Sequence, residues 1–120
     1  MRKRILVLDD NQDILDIIHE ALLYQQFEVK VTLDSTTIIN ITQEYQPDLI
    51  ILDYHLTGKN GQEICQLLKT HPDVGHIPVI ICSAYVQKDT DLSAWGCDDV
   101  IAKPFGLEEL TDKVNNLILG

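Results

Sequence analysis

Short apolar runs alternate with helical stripes along the whole chain. Ile5-Leu6-Val7-Leu8 is apolar at every position, the pattern of a strand buried between two layers of helix. Asn11 can cap the next element. From there Ile14, Leu15, Ile17, Ile18, Ala21 and Leu22 recur at three- and four-residue spacing, which predicts a helix with that stripe facing inward. Phe27 to Leu33 alternates with period two, predicting a strand with one face partly in water, hence an edge strand. Asp34-Ser35 can cap a second helix to about Tyr45, with Ile38, Ile39, Ile41 and Thr42 inward.

Pro47 resets the chain, and Leu49-Ile50-Ile51-Leu52 predicts another fully buried strand. Thr57-Gly58-Lys59-Asn60-Gly61 is a loop of turn formers, after which Ile64, Leu67 and Leu68 stripe a third helix that stops at His71-Pro72-Asp73. Val79-Ile80-Ile81-Cys82 predicts a fourth strand, Asp89 to Trp95 a short helix closed by Gly96, and Val100-Ile101-Ala102 a brief fifth strand. Leu107, Leu110, Val114, Leu117 and Ile118 stripe the last helix. Strand and helix in this alternation predict one α/β domain with a parallel sheet and helices on both faces. Ligands of such sheets bind beyond the carboxyl ends of the strands, where strand order reverses.

Composition narrows the function classes. The 120 residues suit one domain, and 45% hydrophobic residues can bury a core. No apolar run exceeds four residues, against the ~20 a membrane span needs. Met1-Arg2-Lys3-Arg4 is basic, but the apolar run behind it ends in Asp9-Asp10, so no export segment is read. Nineteen acidic against nine basic residues give a net charge of −10. That surface repels phosphate backbones, so nucleic acid is not expected as a direct partner, and without a spanning run neither is a membrane. Cys65, Cys82 and Cys97 lack paired spacing and read as reduced thiols of a cytoplasmic protein.

The chemistry stands at the strand ends. Asp9 and Asp10 follow the first strand and Asp53 follows the third. Three carboxylates brought together would raise one another's pKa unless a cation sits among them, and oxygen donors at a partly open site suit Mg²⁺, with Mn²⁺ an option. A helix cap and a solvated loop residue would explain one such acid, but not two strands ending this way. Ser83 after the fourth strand could donate to a phosphoryl oxygen, and Lys103 after the fifth could pair with one as a point charge. Taken singly, each is ordinary: a turn serine and a surface lysine.

With these residues in place, the chain resembles the receiver domain of two-component response regulators. The resemblance runs through Leu8-Asp9-Asp10-Asn11, Leu49-Ile-Ile-Leu-Asp53, Gly58-Lys-Asn-Gly61, Ile77-Pro-Val-Ile-Ile-Cys-Ser83-Ala84 and Gly96-Cys-Asp-Asp-Val-Ile-Ala-Lys103-Pro104-Phe105, in the family's order. It implies one receiver domain over residues 1–120, with the flavodoxin-like strand order 2-1-3-4-5. It further implies Asp53 as phosphoacceptor. Asp10 and the His55 backbone carbonyl would join Asp53 as metal ligands, and Asp9 would act through water. Ser83 and Lys103 would contact the phosphoryl group, with a cis peptide between Lys103 and Pro104. The implied donor is a sensor histidine kinase or a histidine phosphotransfer protein. The implied recipient of the signal is a downstream protein or a fused output domain. Such a module assists its own phosphorylation and slow dephosphorylation without being an enzyme in its own right. No output domain is read after Gly120, so a stand-alone receiver or the amino-terminal piece of a longer regulator is expected.

Three departures from the family pattern leave the site intact but bear on the family's usual output face. Thr57 stands where a proline is common, and Val100 stands where an aromatic ring usually swings inward. The interval from Ser83 to Lys103 is shorter than usual. A branched side chain has little rotamer freedom, so a muted rearrangement of the face formed by the fourth helix, the fifth strand and the last helix is expected. His55 and Tyr85 are placed at the pocket mouth. Two other classes are weighed against the same residues. A phosphatase of the haloacid dehalogenase type needs a second acid two residues after its aspartate, where His55 stands. A degenerate docking receiver would have lost an acid or the lysine, and none is lost.

Overall fold

A computed structural model describes residues 2–56, 58–84 and 95–119. In chain order the elements are β1 (Arg4–Leu8), α1 (Gln12–Tyr24), β2 (Glu28–Thr32), α2 (Ile38–Tyr45), β3 (Leu49–Asp53), α3 (Gly61–Thr70), β4 (Val79–Ser83), β5 (Asp99–Ala102) and α4 (Leu107–Leu119). All strands pair in parallel in the order β2-β1-β3-β4-β5. The chain steps outward from β1 to β2 and then crosses back to β3. Strand order therefore reverses between β1 and β3, which opens a crevice at their carboxyl ends. The expected flavodoxin-like fold and the edge position of β2 are both observed.

The central strands are apolar throughout because helices cover both faces of the sheet. Ile5, Val7, Leu49, Ile51, Ile80 and Cys82 pack with Leu15, Ile18 and Leu22 of α1 and Leu110 and Val114 of α4. Their alternates Leu6, Leu8, Ile50, Leu52, Val79 and Ile81 pack with Ile38 of α2 and Ile64, Cys65 and Leu68 of α3. A slip of one residue would exchange the two sets, so register is tightly specified. That register places Leu8 opposite Leu52 and Ser83 opposite Ala102, which lines up the residues that follow.

Several inward stripes are narrower than their spacing predicts. Ile17, Leu67 and Leu107 are 50%, 45% and 43% exposed. A helix lying on a sheet buries only one arc of its circumference, and these residues sit at its border. Cys65 and Thr111 occupy buried positions that the spacing did not single out. The second helix also starts late. The Asp34 carboxylate accepts from the Thr36 N–H at 2.8 Å and the Thr36 hydroxyl at 2.6 Å, so it closes a turn instead of capping. The N-cap is Thr37, whose side chain makes no capping bond. Asp53 and Ser83 are the last residues of their strands, and β5 begins one residue before Val100. The helix expected over 89–95 lies outside the described residues apart from Trp95, as do Thr57 and Tyr85. Among the described residues no helix is long and apolar enough to cross a membrane.

Candidate functional site

The site is assembled from loops that the sheet ends hold still. Asp9 follows β1 directly. Its N–H donates to the Thr32 carbonyl at 3.3 Å and its carboxylate accepts from the Asn11 N–H at 3.0 Å. Asn11 in turn caps α1, accepting from the N–H groups of Asp13 and Ile14 at 2.9 and 3.3 Å. The turn that bears Asp9 and Asp10 is thus fixed at both ends. Asp9 and Asp53 are buried, at 3% and 6% exposure, whereas Asp10 is exposed. Carboxylate oxygens of Asp9, Asp10 and Asp53 all lie within 4.8 Å of one another.

Lys103 closes the group from the far side of the sheet. Its N–H donates to the Ser83 carbonyl at 3.0 Å, which extends the pairing of β4 and β5. The Lys103–Pro104 peptide is cis. Its ammonium reaches Asp53 Oδ1 at 2.7 Å and Asp9 Oδ2 at 3.4 Å. Burial works to lower the Lys103 pKa, but the hydrogen bond and charge of Asp53, with the charge of Asp9, hold it above the usual lysine value. Asp9 moves up too. Burial raises it and the Asp53 charge adds to that, against the Asn11 N–H and Lys103. One ammonium against three carboxylates leaves an excess equal to the charge of one divalent cation. Hard oxygen donors with that excess fit Mg²⁺.

The loop after Asp53 is anchored by backbone. The Tyr54 N–H donates to the Cys82 carbonyl at 2.8 Å, and the Tyr54 carbonyl accepts from the Gly61 N–H at 2.7 Å. Asn60 and Glu63 form a reciprocal capping box on α3, satisfying two backbone donors at once. A Cβ on Gly61 would stand 2.5 Å from the Asp53 carbonyl oxygen and 3.0 Å from the Tyr54 Cα. Both obstacles are backbone, so neither can swing aside. Gly61→Ala is expected to lose roughly 1–3 kcal/mol, read as a lower urea midpoint. Gly106→Ala, with nothing within 4 Å of the added Cβ, should stay within about 1 kcal/mol. Equal midpoints for the two variants would show that the close approach is not rigid.

Ser83 is 1% exposed at the end of β4. His55 is exposed past Asp53, its ring edge-on to Tyr54 with centroids 5.5 Å apart. Val100 is half-buried on β5, and Tyr85 lies outside the described residues. Cys82, beneath the site, is pushed up to about 12 by burial and is unreactive there. One feature of the neighbourhood is marked by no sequence motif. An apolar groove of about 440 Å³ runs beside Lys103, lined by Ile14, Ile17, Phe105 and Leu107 among others. Ile17 and Leu107 carried the signal, as apolar residues at the borders of their helical stripes.

A family model described as the response regulator receiver domain matches residues 5–115. The DNA-binding response regulator MtrA of Mycolicibacterium paratuberculosis is 35% identical over 116 residues, covering 95% of this chain and 50% of that protein. The chain thus spans about half the length of the curated relatives it matches. The receiver domain of Francisella response regulator 1452 superposes with a TM-score of 0.88 at 25% identity, over 98% of each chain. The chemotaxis response regulator CheY4 of Vibrio cholerae gives 0.88 at 20% identity, over 98% of this chain and 99% of the other, a likeness of fold. Relatives with DNA-binding in their names leave the expectation of no nucleic-acid partner without support.

Proposed function

This chain belongs to the response regulator receiver domain family, and we propose that residues 1–120 are one receiver in which Asp53 takes the phosphoryl group. The observation that carries this reading is the Lys103 ammonium 2.7 Å from Asp53 Oδ1, inside a cluster of three carboxylates within 4.8 Å. An oxygen of Asp53 bonds to phosphorus as the bond from phosphorus to the donor's imidazole nitrogen breaks. The electron pair of that bond returns to the ring. Phosphoryl transfer asks the protein mainly for positioning and charge neutralisation. Lys103 pairs with a developing phosphoryl oxygen, and the Ser83 hydroxyl donates to another.

Asp10, Asp53, the His55 carbonyl and, through water, Asp9 would hold Mg²⁺ or Mn²⁺. The ion would supply further neutralisation of the phosphoryl oxygens. Water later attacks phosphorus, releasing inorganic phosphate and restoring the carboxylate. The module assists these steps on itself and turns over no separate substrate. The donor in this reading is a histidine kinase or histidine phosphotransfer protein, whose surface the apolar groove beside Lys103 can meet. The recipient is a downstream protein or an output domain, including a DNA-binding one of the kind the relatives are named for. The domain is read as cytoplasmic, in keeping with three free cysteines.

Acetyl phosphate or phosphoramidate should label the wild type with Mg²⁺ and not with excess chelator, as read by intact mass. Asp53→Ala should carry no adduct. An alanine variant labelled to the same level as the wild type would move the acceptor elsewhere.

A further inference from the structure

We propose that the contact between Tyr54 and Trp95 carries the phosphorylation state of Asp53 to the surface ahead of β5, a role this chain cannot give to a ring on β5. This rests on Asp53 being the acceptor. Val100 offers only a branched side chain with little freedom to swing. The structure nevertheless has a ring-to-ring path on the same side of the sheet. Tyr54, Trp95, Leu56, Cys97 and Val100 all pack against the core layer formed with α2 and α3. The Tyr54 and Trp95 rings lie 5.1 Å apart at 42°, a separation at which aromatic pairs attract beyond their buried area.

Each end of this pair is tied to something that matters. Tyr54 follows Asp53 directly, and its backbone is held on both sides, by the Cys82 carbonyl and the Gly61 N–H. Its ring therefore cannot ignore a displacement of the acceptor. Beyond Trp95 the chain turns at Gly96, with φ +74°. The Gly96 carbonyl accepts from Cys65 Sγ at 3.3 Å, and Asp98 pairs with Lys69 while accepting from the Val79 N–H at 2.8 Å. Trp95 stands between the acceptor loop and a fixed turn. A phosphoryl group on Asp53 draws on Lys103, the acceptor's present partner, and so changes what holds that loop. Two states shift only through contacts that differ between them, and the ring pair is such a contact.

Trp95 is the only tryptophan of the chain, so its emission reports this position alone. With Mg²⁺ present, the phosphoryl mimic beryllofluoride should shift the emission of the full chain. Tyr54→Phe should keep that shift and Tyr54→Leu should abolish it. Coupling is reciprocal, so Tyr54→Leu and Trp95→Leu should each move the half-saturating beryllofluoride concentration by roughly fivefold, read by calorimetric titration because neither variant keeps the emission signal. Intact mass after acetyl phosphate treatment reads the acceptor separately in the same samples. A wild type that takes phosphate without an emission change overturns the inference and leaves the acceptor standing. So do leucine variants that titrate like the wild type, or a Tyr54→Phe variant that behaves like Tyr54→Leu. A wild type that takes no phosphate overturns the acceptor reading and this inference with it.

Discussion

Replacing Lys103 with alanine should slow phosphate uptake at Asp53 while tightening Mg²⁺ binding, two effects of opposite sign from one side chain. The ammonium is the charge partner that Asp53 Oδ1 and Asp9 Oδ2 have now, at 2.7 and 3.4 Å. It stays protonated because the Asp53 hydrogen bond and charge outweigh the effect of burial. In transfer, that positive charge meets an oxygen that gains negative charge in the transition state. Losing one such preorganised partner typically costs about 10²–10³ in rate. For a divalent cation the same ammonium is a competitor, since both are attracted by the same carboxylates. Lys103→Arg should restore little, because a planar fork does not replace a compact point charge. Uptake rates from acetyl phosphate at saturating Mg²⁺, with Mg²⁺ affinity from calorimetric titration, check both signs. A variant that labels as fast as the wild type would remove Lys103 from the site.

The sequence announces this site unusually well, for a physical reason. In a parallel sheet covered on both faces, core strands must be apolar at every position. The first polar residue after each run, or the last of the strand, then marks the carboxyl end where ligands gather. Asp9, Asp53, Ser83 and Lys103 were each legible as such a residue, and sheet register does the rest. What stayed hidden depends on neighbours distant in sequence. The borders of helical stripes are set by how each helix lies on the sheet, so Ile17, Leu67 and Leu107 read as core and are exposed. The start of α2 depends on a choice open to Asp34, between capping a helix and closing a turn with Thr36. No spacing rule pairs Tyr54 with Trp95. That contact exists only because α3 and β4 bring the loop after Asp53 and the turn before β5 together.

Mg²⁺ should raise the melting temperature of the wild type, and Asp10→Ala should abolish the rise. A cation that binds only the native state stabilises it by mass action, by about 2.7 kcal/mol at a hundred times its Kd, a shift on the order of 10 °C. Asp10 is exposed, so its loss costs the fold little while removing one carboxylate of the proposed metal site. Asp9 should behave differently, because it is buried beside Asp53 and its pKa lies above the ordinary 3.8, through burial first and the Asp53 charge next. A carboxyl raised in the native state binds more protons there than in the unfolded chain. In chelator, its contribution to stability therefore grows as pH falls through the native pKa towards 3.8. At neutral pH the ionised group is a cost. Asp9→Asn should thus melt higher than the wild type in chelator at neutral pH, by an amount on the order of 1 kcal/mol. It should also lose that acid-side gain and respond less to Mg²⁺. Lys103, raised as well, contributes with the same sign in a higher window: its stabilisation is present at neutral pH and lost only as pH climbs past 10.5 through its native pKa. Thermal melts from neutral pH towards the carboxylate range, with and without millimolar Mg²⁺, check each of these signs. A wild-type melt indifferent to Mg²⁺, together with an Asp9→Asn variant no more stable than the wild type, would mean that the three carboxylates do not repel one another as their spacing requires.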